Sequence, residues 1–433
     1  MIVEFAIGII LLITFAVFVV YTVKGGNLML GFLIMTVLWS VLGMIGGTMS
    51  WNDFQVTVLE EGPEGWGSTA VVVIFGSWFG QVLIQTGIAK ELIRKTVELG
   101  GDRPVITTVL VNIVVCLIFT STYGAGAVVA VGVIVLPILL ALGVPKAIAA
   151  SSYVMSVGSA MYINLVLFRQ MQGLFPGFEY DANYLKYGFA AMGISIVIVS
   201  ISTIVKLRGK KSHAWAAQAG PAMQPETRVP AYALVTPLIP VVLAVFLNWQ
   251  PIPAFIVASF FALIATGKIR SYADAGRELS KTFYDGVVDV AALLGFLFIV
   301  PMFCKVATLD AVFFQSVLDG VIPSNALVIC IAFAVLAPLG LFRGPLTVFG
   351  AGTATMAILM ALDVFPIALL FPLLYNPTIT LELMSCPTQS WNMWAINYTK
   401  ISTKDFLIQG VPWCWLICAI NSMLVYFLYG MAL

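Results

Sequence analysis

The chain has 433 residues, of which 61% are hydrophobic and 9% are charged. Soluble domains carry about 25% charged residues, so this composition excludes an ordinary soluble protein. The net charge of +1 gives no argument for nucleic-acid binding. Apolar runs of about 20 residues recur along the chain and match the thickness of a bilayer core. We therefore expect an all-α protein that crosses the membrane many times.

Taken in chain order, the apolar runs form two halves with the same plan. The first half, 1–206, has spans 3–24, 28–49 and 69–88, a long stretch 105–142, a broken span 147–172 and a span 185–206. The second half, 231–433, has spans 231–248, 251–267 and 284–304, a long stretch 323–362, a broken span 364–397 and a span 405–430. The polar segment 207–230 between the halves is predicted to be a cytoplasmic linker.

The two long stretches, 105–142 and 323–362, are too long for one helix and too short for two comfortable spans. Each has a polar centre that contains glycine, and we interpret each as a re-entrant hairpin. Each half then crosses the membrane five times, which is an odd number, so the second half must be inverted relative to the first. The predicted fold is two inverted repeats of five spans, each with a re-entrant hairpin and a broken helix.

Charged residues outside the predicted spans separate by sign. Lys and Arg collect on one side and Asp and Glu on the other, as expected when cytoplasmic loops are basic. This split predicts that the N-terminus and the C-terminus both lie outside the cell. Only Arg169 and Arg343 are left for the interior. Arg169 lies close in sequence to Glu179 and Asp181, so an ion pair explains it at least as well as substrate contact.

Four interior segments carry helix-breaking and hydrogen-bonding residues where lipid-facing sequence would be Leu, Ile and Val. They are 120–126, 156–159 with Asn164, 343–347 with 350–353, and 376–380 with its continuation at 386–392. Gly and Pro interrupt the helix there and free backbone groups at mid-depth. Helix N-termini suit a carboxylate, whereas exposed carbonyls and hydroxyls suit Na⁺. Because these segments supply Ser, Thr and Asn, among them Asn164, without carboxylates, the pattern favours an anion held by neutral donors.

Arg343 is the sharpest individual signal in the interior. Burying a guanidinium at a hairpin tip costs several kcal/mol without a counter-charge. No acidic residue in the interior is an obvious partner, so we expect an anionic substrate to take that place. The alternative is that Arg343 lies shallower and caps carbonyls or meets lipid phosphate. Asp285 and Asp289, at the start of a span, are interpreted as compensating the positive end of a helix, with a coupling-proton role as the alternative.

The chain offers little for catalysis or metal binding. Its single histidine, His213, lies in a polar loop, and the interior has no paired Asp residues. An intramembrane enzyme would need a nucleophile with a base, or a metal cluster. We therefore expect no enzymatic activity, no metal site and no cofactor beyond a coupling ion, H⁺ or Na⁺.

The segments FRGPLTVFGAGTA at 342–354 and SCPTQSWNMWAINY at 385–398, within the hairpin and broken-span plan, resemble the ion transporter superfamily. Within it they are most similar to the gluconate permease, C4-dicarboxylate and citrate carrier groups. The resemblance implies a carrier of organic acids in the bacterial inner membrane, coupled to H⁺ or Na⁺. It also implies a homodimer with a scaffold domain and a mobile transport domain.

The resemblance also implies a set of substrate-binding positions. The family's hairpin tips fall here on Ser121, Thr122, Gly124, Arg343, Gly344 and Thr347. Its broken spans fall on Ser156, Ser159, Asn376, Thr378, Thr388 and Asn392. The leading hypothesis is an elevator-type symporter of a small carboxylate or sugar acid. The alternative is a cation/proton antiporter of the same fold, which would need carboxylates near the midplane.

Overall fold

The structure is a computed structural model that describes residues 2–101, 103–175, 177–208, 229–318 and 322–431. Every regular element in these ranges is a helix, which confirms the all-α prediction. Seven of the described helices are long and apolar enough to cross a bilayer, or eight if one bent pair counts as a span. The chain is therefore a multi-pass membrane protein.

The described helices follow the same order in both halves of the chain. The first half has α1 (Ile2–Val23), α2 (Leu28–Gly46), α3 (Trp51–Gln85), α4 (Ile88–Gly100), α5 (Pro104–Phe119), α6 (Ala125–Ala141), α7 (Lys146–Ala160), α8 (Leu165–Leu174) and α9 (Ala182–Leu207). The second half has α10 (Ala231–Leu247), α11 (Pro251–Ala265), α12 (Tyr272–Leu309), α13 (Ala311–Leu318), α14 (Ala326–Arg343), α15 (Gly352–Ala361), α16 (Ile367–Leu383), α17 (Ser390–Thr399) and α18 (Thr403–Gly430).

The interrupted stretches of the sequence become pairs of helices. The two predicted hairpins are α5 with α6 and α14 with α15. The first broken span is α7 with α8, which meet at an angle of 65°. The second broken span is α16 with α17, and α16 ends in π-helical turns at Thr378–Leu383. Membrane sidedness, and with it the inversion of the second half, stays a prediction, and most of the predicted linker, 209–228, lies outside the described residues.

Two helices are much longer than the spans predicted for them. Helix α3 begins at Trp51 and not near 69, so the acidic residues from Asp53 to Glu64 lie on helical turns and not in a loop. Helix α12 has 38 residues, which corresponds to about 57 Å against a bilayer core of about 30 Å. Hydropathy marks only the part of a helix that is apolar, and Ser50 and Ser271 cap these helices well before that part begins.

The first two helices of the second half are shorter than typical spans. Helix α10 begins with a 3₁₀ segment, Ala231–Leu238, that contains Pro237, and α11 has 15 residues. Pro cannot donate a helical hydrogen bond, which is consistent with the irregular start of α10. The predicted spans 231–248 and 251–267 therefore fall on helices that are shorter than the bilayer core requires.

Helix α12 positions the site because it contacts elements of both halves. It packs against α2 and α3 of the first half and against α15 of the second hairpin. By contrast, only 22% of the apolar window of α1 is buried, and side chains such as Ile13 and Val17 face outward. A face of this kind is typical of a helix that contacts lipid.

Candidate solute-binding site

A cavity of about 290 Å³ lies where both hairpins, α12 and the second broken helix meet. We call residues 120–126 the first tip and residues 343–351 the second tip. The cavity is lined by Tyr123, Gly124 and Ala125 of the first tip, by Asp289, Val290, Ala292, Leu293 and Phe296 of α12, by Arg343 and Phe349 of the second tip, and by Glu382, Gln389, Ser390 and Trp391 of the second broken helix. Its volume is at the small end of the range of ligand pockets, about 300–1,000 Å³.

Arg343 lines this cavity and is half-buried. Among the described residues, its guanidinium makes no hydrogen bond and no ion pair within 4.0 Å. Its backbone has a φ of +60°, a left-handed conformation that non-glycine residues adopt rarely. The second tip therefore holds a positively charged side chain toward the cavity in a specific backbone conformation.

The glycines of the second tip allow its backbone to fold tightly. The N–H of Ala351 donates to the carbonyl of Arg343 at 2.9 Å, and the N–H of Gly352 donates to the carbonyl of Gly344 at 3.1 Å. A Cβ on Gly350 would lie 2.3 Å from the Arg343 carbonyl oxygen. Gly344 and Gly350 within the second tip, and Gly352 directly after it, therefore allow the close backbone approach that presents Arg343.

Glu382 is the acidic residue beside Arg343 that the sequence interpretation missed. Its side chain is only 1% exposed, yet it lines the cavity. Arg343 and Thr347 are polar side chains that face it, and Arg343 interacts with it electrostatically. Neither carboxylate oxygen has a hydrogen-bond partner among the described residues. The expectation that no interior acid faces Arg343 is therefore wrong.

Asp289 also lines the cavity and binds the first tip. Its Oδ1 accepts a hydrogen bond from the N–H of Gly126 at 2.6 Å, at the N-terminus of α6. A Cβ on Gly124 would lie 2.3 Å from its Oδ2. Asp289 lies near the middle of α12, so it does not compensate the start of its own helix. It instead occupies the N-terminal end of α6, where an anion is favoured.

Of the predicted residues in the first half, Gly124 lines the cavity, and the other five lie outside its lining. The Ser121 hydroxyl donates to the carbonyl of Pro237, and Thr122 Oγ1 is buried without a partner among the described residues. Ser156 and Ser159 donate to carbonyls of their own helix at 2.7 and 2.9 Å. The fifth residue, Asn164, caps α8.

Asn164 connects the first broken helix to the first tip. Its Nδ2 donates to the carbonyls of Phe119 at 2.8 Å and Thr122 at 3.1 Å, while its Oδ1 accepts from Leu167 N–H. In the second half, Thr378 and Cys386 make the corresponding connections to the second tip. Thr378 Oγ1 accepts from the N–H of Val348 at 3.0 Å, and Cys386 Sγ accepts from the N–H of Phe342 at 3.1 Å.

The remaining predicted residues of the second half stabilise the chain around the break. Asn376 donates to the Cys418 carbonyl at 2.7 Å. Asn392 donates to the Cys386 carbonyl at 2.9 Å, and the Thr388 hydroxyl lies 3.0 Å from Cys386 Sγ. Thr347 and Gly344 lie within the second tip beside the cavity lining. Of the predicted set, the structure places Gly124 and Arg343 directly on the cavity.

Arg169 does not form the ion pair suggested for it. Its guanidinium donates to Gln172 Oε1 at 2.6 Å and to Gln250 Oε1 at 2.8 Å. No ion pair of Arg169 with Glu179 or Asp181 lies within 4.0 Å in the described ranges. Neutral amides therefore bind this arginine, which lies away from the central cavity.

The cavity brings charged and aromatic side chains together. No group of three or more His, Cys, Asp or Glu side chains within the described residues could hold a metal ion. The cavity combines one guanidinium and two carboxylates with aromatic surface. Tyr123 and Trp391, one from each half, meet edge to face across it with ring centroids 6.3 Å apart.

The sequence matches no family model and no curated protein. Its fold is similar to the crystal structure of the Alcanivorax borkumensis YdaH transporter, described as having an unusual topology. The TM-score is 0.65 at 15% sequence identity, and the alignment covers 92% of this chain and 97% of that chain. At this identity the likeness concerns the fold, and the resemblance to the gluconate, C4-dicarboxylate and citrate carriers stays a prediction. The chain thus shares the fold of a membrane transporter over nearly its whole length.

Proposed function

We propose that the protein is a secondary active transporter that carries a small organic anion, a carboxylate or sugar acid, by symport with H⁺ or Na⁺. The observation that carries this proposal is Arg343, a guanidinium without an ion-pair partner among the described residues, on a cavity between the two hairpin tips. A substrate carboxylate can accept two parallel hydrogen bonds from a guanidinium, which fixes its orientation as well as its charge.

The links between hairpins and broken helices support an elevator-type movement. Asn164 joins α8 to the first tip, and Thr378 joins α16 to the second tip. Elements connected in this way can move as one body relative to the remaining helices, which carries the cavity from one side of the membrane to the other. We also propose that the protein is a homodimer in the inner membrane, as the family resemblance implies.

Uptake into proteoliposomes tests the proposed function. Purified protein is reconstituted, and uptake of labelled gluconate, succinate and citrate is measured with an inward H⁺ gradient, an inward Na⁺ gradient, or neither. We expect gradient-driven accumulation of at least one of the three probes above protein-free liposomes. If no probe accumulates under either gradient, organic-anion symport is the wrong function.

The two carboxylates of the cavity favour one further candidate, a cation/proton antiporter of the same fold. Asp289 and Glu382 provide the interior acids that such an activity needs. The same vesicles separate the candidates when a fluorescent dye reports the pH gradient. Dissipation of the gradient by Na⁺ or K⁺ in the absence of any organic anion would indicate antiport.

A further inference from the structure

Glu382 is a buried acid for which the proposed anion site gives no role. It lies 1% exposed on the cavity wall, and neither of its carboxylate oxygens has a hydrogen-bond partner among the described residues. We propose that Glu382 binds the coupling proton and that Arg343 links this proton to the transported anion. This inference rests on the proposed function and deepens it, since it selects H⁺ as the coupling ion.

An isolated charge is costly in the protein interior. A buried carboxylate without hydrogen-bond donors is stable in its ionised form only if a positive charge faces it. Arg343 is the positive charge that interacts with Glu382. Without substrate, the positive charge of Arg343 and the negative charge of Glu382 therefore compensate each other at the cavity.

A substrate carboxylate changes this balance because it needs the same guanidinium. Once the anion binds Arg343, an ionised Glu382 would face a second negative charge at close range. Binding one proton to a Glu382 carboxylate oxygen removes that repulsion. The charges balance: arginine and glutamate sum to zero before binding, and arginine, anion and neutral glutamic acid sum to zero after it for a monocarboxylate.

The linkage is reciprocal and gives symport. If the anion favours proton binding, the proton must favour anion binding by the same factor. The proton and the anion enter together from the side to which the cavity opens. It leaves Glu382 on the other side when the anion departs and Arg343 again faces the carboxylate.

The surroundings of Glu382 favour a proton over Na⁺. Sodium, as a hard cation, needs several oxygen ligands, and Thr347 is the hydroxyl that faces Glu382. The guanidinium of Arg343 would also repel a second cation at this position. A proton needs one carboxylate oxygen and no further ligands.

The titratable groups around Glu382 are few within the described residues. Arg343 and Cys386 lie on the same side of the cavity, and Tyr123 and Asp289 approach from the first tip and α12. Helix α18 packs against α16 with the thiols of Cys414 and Cys418, which contact Ser385 and Thr380. On α7, the hydroxyl of Tyr153 donates to the carbonyl of Val128. Arg343 is thus the cation that can respond to an incoming anion.

Infrared spectroscopy of the full-length protein tests this without any substrate. Difference spectra between acidic and alkaline pH report the carbonyl stretch of buried carboxylic acids. In wild type we expect a titrating band that is lost in Glu382→Gln and that remains in Asp289→Asn and in the surface control Glu98→Gln. In Arg343→Gln the same band should titrate at a pH higher by about one unit or more, because the opposing charge is gone.

Two results would overturn the proposal: a wild-type spectrum without a titrating band from Glu382, or a band whose midpoint is the same in Arg343→Gln. If Glu382→Gln fails to fold, Glu382→Asp keeps an acid and should keep a titrating band at an altered frequency. The outcome is separate from the uptake panel. A protein that transports none of the three probes could still show the Glu382 band, and a transporting protein could lack it.

Discussion

At the scale of single residues, the position of Arg343 depends on the glycines around it. The left-handed backbone at Arg343, with φ +60°, is closed by the hydrogen bond from Ala351 N–H to the Arg343 carbonyl. This closure requires that residue 350 has no side chain, since a Cβ there would lie 2.3 Å from the carbonyl oxygen. The position of the positive charge at the site is therefore fixed by the backbone geometry of the second tip.

Gly350→Ala tests this dependence. The added methyl group should push the Arg343 carbonyl away, at a cost of about 1–3 kcal/mol typical of overpacking. We expect a lower melting temperature in detergent and weaker anion uptake. Gly193→Ala is the matched control, because a Cβ there meets nothing within 4 Å. An unchanged melting temperature in Gly350→Ala would contradict the tight fold of the tip.

Arg343 and Glu382 are both charges within apolar sequence, but the sequence does not show that they face each other. An isolated arginine between apolar segments is visible as a cost without compensation. Glu382 lies in the apolar run of α16, within the π-helical turns that end this helix, and it lines the cavity. Likewise, Asp289 stands near the start of the apolar run, while the helix begins 17 residues earlier at Tyr272. Which side chains meet depends on long-range packing that no local pattern contains.

At the scale of elements, the two broken helices bind each other at their breaks. The Tyr162 hydroxyl donates to Asn376 Oδ1 at 2.6 Å, and the Tyr375 hydroxyl donates to the Met161 carbonyl at 2.7 Å. All four residues are buried. The breaks are thus joined across the halves by hydrogen bonds that lipid cannot replace, which favours movement of the two broken helices as a unit.

Tyr162→Phe tests this connection. The substitution leaves Asn376 Oδ1 buried without its donor, which costs about 1–3 kcal/mol. We expect a lower melting temperature and slower uptake of whichever probe the wild-type protein accumulates. Tyr232→Phe removes an exposed hydroxyl that donates to the Ala265 carbonyl at 3.3 Å and serves as the control. Equal stability of the two variants would argue against a joined unit.

Hydropathy and helix-breaking residues predict where these elements are interrupted. Polar centres flanked by apolar arms marked both hairpins, and the bend between α7 and α8 lies within the predicted broken span 147–172. The length of α3 and α12 could not be predicted in this way, because their outer turns are polar. Helical hydrogen bonding continues into such turns when a capping side chain begins the helix farther out.

At the scale of the whole molecule, two halves with the same helix order place one tip each against a shared cavity. Helix α12 contributes Asp289 to the first tip, and the second broken helix contributes Glu382 beside the second tip. The cavity therefore contains one guanidinium and two carboxyl groups. The proposed proton-coupled transport of an organic anion would use these groups, and the fold is similar to that of a known transporter.

The central claim is that Arg343 holds the transported anion. The most direct measurement is uptake of the accumulated probe by vesicles containing wild type, Arg343→Ala or the exposed-arginine control Arg277→Ala. Truncating the arginine of a charge pair between protein and bound anion costs about 2–5 kcal/mol, which corresponds to a loss of affinity of about thirtyfold or more. The melting temperature of the double variant Arg343→Ala/Glu382→Gln, which removes both charges, checks that the loss of uptake is not misfolding. We expect Arg343→Ala and the double variant to lose uptake and Arg277→Ala to keep it; uptake by Arg343→Ala at the wild-type rate would contradict the account.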